Sequence, residues 1–284
     1  MRSGTNWIGN LLNKHRRISC AGEFHLQRLS GEFQRLVFGE PPATWGILRR
    51  LHHRRILERE FHRTLKRCIV AGNIHERGFR LRNRWYGDRT PEPLEPPILP
   101  GAAHILIVRD GRDVIVSETF HFMRMDDVGD YPFEDHPRMV EKRARFLSSP
   151  GYFDSHPKEL LDDETWVRFR ADLWSQTALR DGESVARFEA GDLDGRVHVV
   201  RFEDLHRDTE IERRRIYEFL GAVPDDADPL DELTVPGFEE GKERRPHYRS
   251  GKVGQWRRFF ASDTLSWYVD GAAEALERHG YSVK

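Results

Sequence analysis

Residues 104–124 read HILIVRDGRDVIVSETFHFMR, and this stretch decides the fold class. Ile105 to Val108 form a short continuous apolar run, the pattern of a parallel strand buried on both faces. Asp110-Gly111 is a turn pair, and Asp113 is placed to cap the helix that follows. Strand, turn and helix in this order are the repeating unit of a parallel α/β sheet. Arg109 then stands at the carboxyl end of a strand, the edge where open α/β sheets bind their ligands. Ser117 falls one helical turn beyond Asp113, so Arg109 and Ser117 can reach one anion together. On this stretch alone, a solvated arginine and an ordinary helix serine fit equally well.

A second stretch, Met1 to Trp7 (MRSGTNW), opens an amphipathic helix. Between Thr5 and His15 the apolar Trp7, Ile8, Leu11 and Leu12 recur at helical spacing with one buried stripe. Ser3-Gly4-Thr5 in front of it is a tight, hydroxyl-bearing turn that delivers backbone N–H groups to a helix N-terminus. Such an end attracts phosphate or sulfate, because its amides and the helix dipole both point at the ligand. Arg2 adds a guanidinium fork that matches oxyanions, and Trp7 adds a flat face one turn on. An ordinary helix cap competes evenly with an anion site on these residues alone.

The two stretches together resemble the PAPS-dependent sulfotransferase family, whose P-loop-like domain binds 3′-phosphoadenosine 5′-phosphosulfate (PAPS). RSGTNW, Arg2 to Trp7, is similar to the family's 5′-phosphosulfate loop, with Asn6 in place of a second Thr. Arg109, Arg112, Asp113, Val116 and Ser117 fit the RxxRDxxVS block that grips the 3′-phosphate. Arg201-Phe202-Glu203-Asp204-Leu205 resembles RYEDL, with Phe for Tyr, and RSGKVGQW, Arg249 to Trp256, resembles RKGxxGDW, with Ser for Lys and Gln for Asp. Four blocks in the family's order span nearly the whole chain.

The resemblance implies an α/β fold: three layers, a central parallel sheet flanked by helices, P-loop-NTPase-like, formed as one domain over 1–284. It implies a co-substrate site made of Arg2, Ser3, Gly4, Thr5, Asn6, Trp7, Arg109, Ser117, Arg249, Ser250 and Gly251, with 249–260 closing as a lid. Arg2 is the implied catalytic cation; the general base is His75, Glu23 or His25. Trp7 is expected either to stack on adenine or to pack its helix into the core. In the family a buried strand and a Pro lead into the first loop; here Met1 stands at the Pro position, so the first strand is expected to be missing and to lie upstream in a longer reading frame.

Composition sets the remaining bounds. With 38% hydrophobic and 33% charged residues the chain reads as a soluble globular protein, and a net charge of −1 supplies no global field for nucleic acid. Cys20 and Cys68 give neither a disulfide framework nor a zinc spacing, and no apolar run approaches a membrane span, so a cytoplasmic protein without a metal is expected. Helices are expected over 31–38, 45–64, 166–180, 208–220 and 262–279, and strands over 66–71 and 197–202. Five prolines between Pro91 and Pro100 mark an extended connector, and the acidic, Pro- and Gly-broken stretch 125–165 an insertion on the acceptor side. The acceptor class expected is a small molecule, lipid or carbohydrate with a hydroxyl or amine. The rivals are a P-loop kinase, for which RSGTNW lacks the required Lys, and a non-catalytic nucleotide-binding protein.

Overall fold

The computed structural model describes residues 4–24, 26, 29, 31–33, 35, 51–79, 83–90, 94, 99, 101–124, 136–231 and 251–283, with the backbone alone for 51–54. Helix α1 (Thr5–Asn13) buries Trp7, Ile8, Gly9, Leu11 and Leu12, the stripe read from its spacing. Asn13 then folds the chain back: its amide donates to Cys20 O and its carbonyl accepts from Cys20 N, both at 2.8 Å. That clamp sets β1 (Ile18–Cys20), buried throughout, beside α1.

Helix α2 (Leu51–Arg77) runs through the segment expected to be a strand at 66–71. The physical reason is a helical stripe. Leu65, Ile69 and Asn73, four residues apart, are all buried, whereas a strand burying Ile69 would have put Arg67 and Ala71, which are exposed, on the same face. Asn73 donates to Ile69 O at 2.8 Å and to Gly87 O at 2.9 Å, so the helix is fastened to the strand that does form, β2 (Trp85–Gly87). β2 pairs parallel with β1, Ile18 opposite Trp85 and Cys20 opposite Gly87. Of the helix expected over 31–38, residues 31–33 and 35 are helical, and 34 and 36–38 lie outside the described residues.

The second parallel pair is β3 (Ala103–Val108) with β4 (Arg196–Arg201), in register from Ala103↔Arg196 to Val108↔Arg201. Between them come α3 (Gly111–Arg124), α4 (Pro137–Ser148) and α5 (Glu164–Glu189). After β4 come α6 (Phe202–Arg207), α7 (Thr209–Leu220) and α8 (Ser262–Arg278). Local chemistry sets these bounds. Asp163 and Asp208 accept from Trp166 N and Ile211 N as N-caps, and Gly221, at φ +70°, ends α7 in the left-handed conformation. Helices cover both faces of this pair. His104 lies against Phe188 of α5, while His198, the rung partner of Ile105, stacks on Phe219 of α7 on the opposite side.

Among the described residues the strands therefore form two parallel pairs, each flanked by helices, instead of one continuous sheet. One core gathers side chains of α3, α4, α5 and α8, among them Phe120, Met139, Trp166 and Tyr268. A second joins α1 to the β3/β4 pair and α7 through Trp7, Leu11, Ile107, Val200, Phe202 and Tyr217, and a third, smaller one gathers Leu26, Leu65 and Ile69. A cavity of about 650 Å³ lies between the two strand pairs. It is lined by every residue from Ala103 to Ile107, so it faces the edge of β3 and not one of its sides. Among the described residues no helix is long and apolar enough to cross a membrane.

Candidate functional site

The site is built where α1 begins and where β3 and β4 end. Gly4 has φ +105°, and a Cβ on it would lie 2.9 Å from Phe202 Cδ2 and 3.2 Å from Ile107 Cδ1. Glycine is needed for the backbone and for the close approach at once. The amides of Trp7 and Ile8 donate to Gly4 O at 3.0 and 3.2 Å, and Gly4, as N-cap, makes no side-chain cap to the helix, whose positive end therefore opens at this glycine. Thr5 and Asn6 form the first turn. Trp7 is 2% exposed and packs edge-on to Phe202 at 5.4 Å, which favours its packing role over a stacking one. Arg2, Ser3, His25, Arg249 and Ser250 lie outside the described residues.

Phe202 joins the two sequence blocks. Its ring meets Gly4 at the edge and carries the Arg109 guanidinium over its face, with Cζ 4.3 Å from the centroid. Arg109 also donates to Lys252 O at 3.2 Å. Burial pushes its pKa down, and the carboxylates of Asp113, Glu203 and Asp110 oppose that shift. An arginine keeps its proton regardless. A full positive charge is thus held where water is scarce, at the sheet edge, a place that fits a phosphate.

Asp113 is not the cap of α3. Asp110 takes that position, accepting Arg112 N at 3.0 Å on its carboxylate and the amides of Asp113 and Val114 on its carbonyl. Asp113 instead reaches across the chain and accepts Gly254 N at 2.6 Å and Trp256 N at 2.8 Å. Burial raises its pKa, while Arg109 and these two amides pull it back. Arg112, 3% exposed, forks onto Asp110 at 2.9 and 2.8 Å and lies 4.1 Å over the Trp256 ring. Gly111 between them admits Tyr268 and Trp174, whose atoms a Cβ would meet at 2.1 and 2.3 Å. The segment from Gly251 is therefore fastened to the start of α3, with Gly251 and Gly254 in the left-handed conformation at φ +59° and +71°. Ser117 is the one residue of 111–120 that is not fully buried.

The three base candidates fare differently. His75 is exposed in the last turn of α2, not at a strand end. Glu23 is exposed in a short segment beyond β1 that is tied down on both sides: Gly22 N donates to Glu76 Oε2 at 2.9 Å and Phe24 N to Asp88 Oδ1 at 3.1 Å. Asp88 and Arg89 are the residues that sequence reasoning missed. They follow β2 directly, at the ligand edge of the sheet, and line the cavity together with Thr5. The Arg89 side chain crosses α1 at Gly9, whose absent Cβ leaves it room: an added one would stand 3.1 Å from its Cδ and Nη1. The signal available was a polar Asp-Arg-Thr run one glycine after the aromatic pair Trp85-Tyr86. Glu203 likewise acts over a distance, accepting Asp110 N at 3.0 Å and the Tyr281 hydroxyl at 2.8 Å. Among the described residues no group of His, Cys, Asp and Glu has the arrangement to hold a metal ion.

Comparison with curated protein sequences returns no match. Among solved structures, the chain is similar to a mouse sulfotransferase, SULT7A1, complexed with PAP: 16% identity, TM-score 0.44, 99% of this chain and 82% of that one. It is also similar to a retinol dehydratase in complex with androsterone and inactive cofactor PAP: 16% identity, TM-score 0.39, 96% of this chain and 85% of that one. Likeness at this level speaks to neither ligand nor acceptor. The family model for the sulfotransferase domain matches residues 94–276, a span that holds Arg109, Ser117, Phe202, Glu203 and the segment from Gly251, and the chain thus belongs to the sulfotransferase domain family.

Proposed function

We propose that the protein transfers a sulfuryl group from PAPS to a hydroxyl or amine of a small-molecule, lipid or carbohydrate acceptor. The observation that carries the reading is the convergence on Phe202 of the Gly4 loop and Arg109, residues far apart in sequence that one anionic nucleotide would bridge. Family membership supports the reaction class, and the cradle suits its donor: a glycine position no Cβ can enter, a helix end that opens at that glycine and a half-buried guanidinium.

PAPS supplies an activated sulfuryl group whose sulfur is attacked by the acceptor oxygen or nitrogen as the sulfur–oxygen bond to the 5′-phosphate breaks. Arg2 and the amides from Ser3 to Thr5 neutralise the charge gathering on that phosphate oxygen; such preorganised donors are the largest single contribution in reactions of this kind. Arg2 stays protonated, so it positions and stabilises and does not donate a proton. Arg109, Ser117 and the 249–251 segment hold the 3′-phosphate, and Asp113 keeps the lid backbone in place beside them. Glu23 is the base candidate best placed at a strand end; Arg89 adds a second cation over α1. The test is consumption of PAPS under single-turnover conditions with a panel of phenolic, aliphatic and sugar hydroxyls. Formation of a sulfated product supports the reading; turnover of Mg²⁺-ATP without PAPS consumption replaces it with a kinase, and binding without turnover of either replaces it with a nucleotide-binding protein.

A further inference from the structure

Helix α2 carries cations on the side with which it packs. Its 27 residues hold seven Lys and Arg against three Glu, in a chain whose net charge is −1. Arg55, Arg59, His62, Lys66, Ile69 and Asn73 follow one another at steps of four and three, so they form one continuous row along the helix. At one end of the row Ile69 and Asn73 are buried, and Asn73 donates to Gly87 O of β2 at 2.9 Å. An amphipathic helix turns its charges away from its buried stripe. Here the charges continue the stripe: Arg55, Arg59 and Lys66 are exposed, His62 is partly buried, and with Glu58 and Arg63 they line a concavity of about 520 Å³. Lys66 also lines the cavity of about 650 Å³ that holds Thr5, Asp88 and Arg89, so the row leads to the start of α1.

From Arg55 to Lys66 the row covers roughly 16 Å of helix. A small anion meets one or two of these groups; a linear polyanion can follow them all. Glu60 pairs with Arg59 at 3.3 Å and with Arg63 at 2.6 Å, but exposed pairs of this kind contribute little and exchange readily for another anion. Single-stranded nucleic acid is gripped through aromatic platforms for its bases, and the row offers no Phe, Tyr or Trp; the Phe61 ring beside it is stacked on Phe33 at 3.8 Å. We propose that the acceptor is an acidic polysaccharide, held along Arg55, Arg59, His62 and Lys66 while one of its hydroxyls or amines meets the sulfuryl donor. That oxygen or nitrogen bonds the sulfur, the sulfur–oxygen bond to the 5′-phosphate breaks to release PAP, and the acceptor proton passes to the base. The inference rests on the reading of the chain as a PAPS-dependent sulfotransferase and narrows its acceptor.

Titration with unsulfated chondroitin, neutral dextran, polyuridylate and PAP, the desulfated product, tests it on three proteins. These are wild type, the triple variant Arg55→Ser/Arg59→Ser/Lys66→Ser, and Arg67→Ser, which removes an exposed charge from another side of the same helix. Wild type should bind chondroitin and not dextran, with an affinity that falls as salt rises. The triple variant should lose about tenfold in chondroitin affinity, the sum expected of three exposed charge contacts. Its KM for chondroitin as acceptor should rise with kcat within about twofold, and its PAP affinity should be unchanged. Arg67→Ser should match wild type. Equal chondroitin binding by wild type and the triple variant overturns the inference, and so does a matching loss in Arg67→Ser, which would reflect net charge alone. Tighter binding of polyuridylate than of chondroitin reassigns the row to nucleic acid. PAP binding reports separately on the functional reading: a folded wild type that binds no PAP refutes that reading, and the acceptor assignment with it.

Discussion

The two strand pairs are built to different standards. Around β3 and β4 several polar groups near the ligand edge hold one another: Arg112 forks onto Asp110, Asp113 holds two amides, and Glu203 is held from both sides. Around β1 and β2 the strands are three residues long and a cavity of about 650 Å³ reaches from Cys20 to the edge of β3. The family model begins at residue 94 and so covers the first kind of structure and not the second. On the proposed function, the difference divides the two tasks. Gripping a nucleotide phosphate needs rigid, reciprocal hydrogen bonds, which a sequence encodes as spaced motifs; the acceptor side needs space, which it does not.

The largest effect expected on either side is chemical. Arg2→Ala should lower turnover by roughly 10² or more through lost stabilisation of the leaving oxygen, measured as a single-turnover rate. An unchanged rate removes Arg2 from the mechanism. Next is Gly4→Val, which forces a branched side chain into a positive-φ position 2.9 Å from Phe202. It should destabilise the fold by about 2 kcal/mol or more and abolish PAP binding, read by thermal denaturation and titration. A variant as stable as wild type would mean that the loop is not seated on Phe202. Asp113→Ala leaves the part-buried amide of Gly254 and the buried amide of Trp256 without their acceptor, a cost of about 1–3 kcal/mol for the buried one and less for the other. Hydrogen exchange at those two amides should accelerate, while α7 is unaffected.

The smallest effect sharpens the contrast directly. Cys68 is exposed; Cys20 is buried, and burial pushes its thiol up to about 11. A raised thiol pKa means less thiolate, so at pH 8 only about one Cys20 in a thousand is ionised. A thiol reagent should therefore label one cysteine quickly in the native protein and both after denaturation. Rapid labelling of both would show that the cavity side opens readily to solvent.

What was legible in the sequence follows the same division. The run into Arg109, the strand ending at Arg201, the caps at Asp208 and Gly221 and the last helix are long or punctuated enough for periodicity and turn chemistry to identify them. Ile18–Cys20 and Trp85–Gly87 are too short to show a period, and KRCIVA, Lys66 to Ala71, is an apolar run whose helical identity depends on Leu65 and Asn73 outside it. At the site, Arg109 and Gly4 were readable as motifs, but Asp113 as a clasp on the Gly254 backbone was not. Its partners are 141 and 143 residues away, and no local pattern records such a pairing. The same holds for Tyr281 and Glu203, 78 residues apart. The proposed base is the least legible residue: Glu23 and His75 are both exposed, and neither belongs to a spaced motif.

The central claim is that Arg109, seated on Phe202 beside the Gly4 loop, receives a nucleotide phosphate. Calorimetric titration of PAP into wild type and Arg109→Ala tests it most directly. The account predicts micromolar binding by wild type and a loss of about tenfold to a hundredfold in the variant, the size expected when a charge-assisted contact is removed. Equal affinity in both proteins would contradict it.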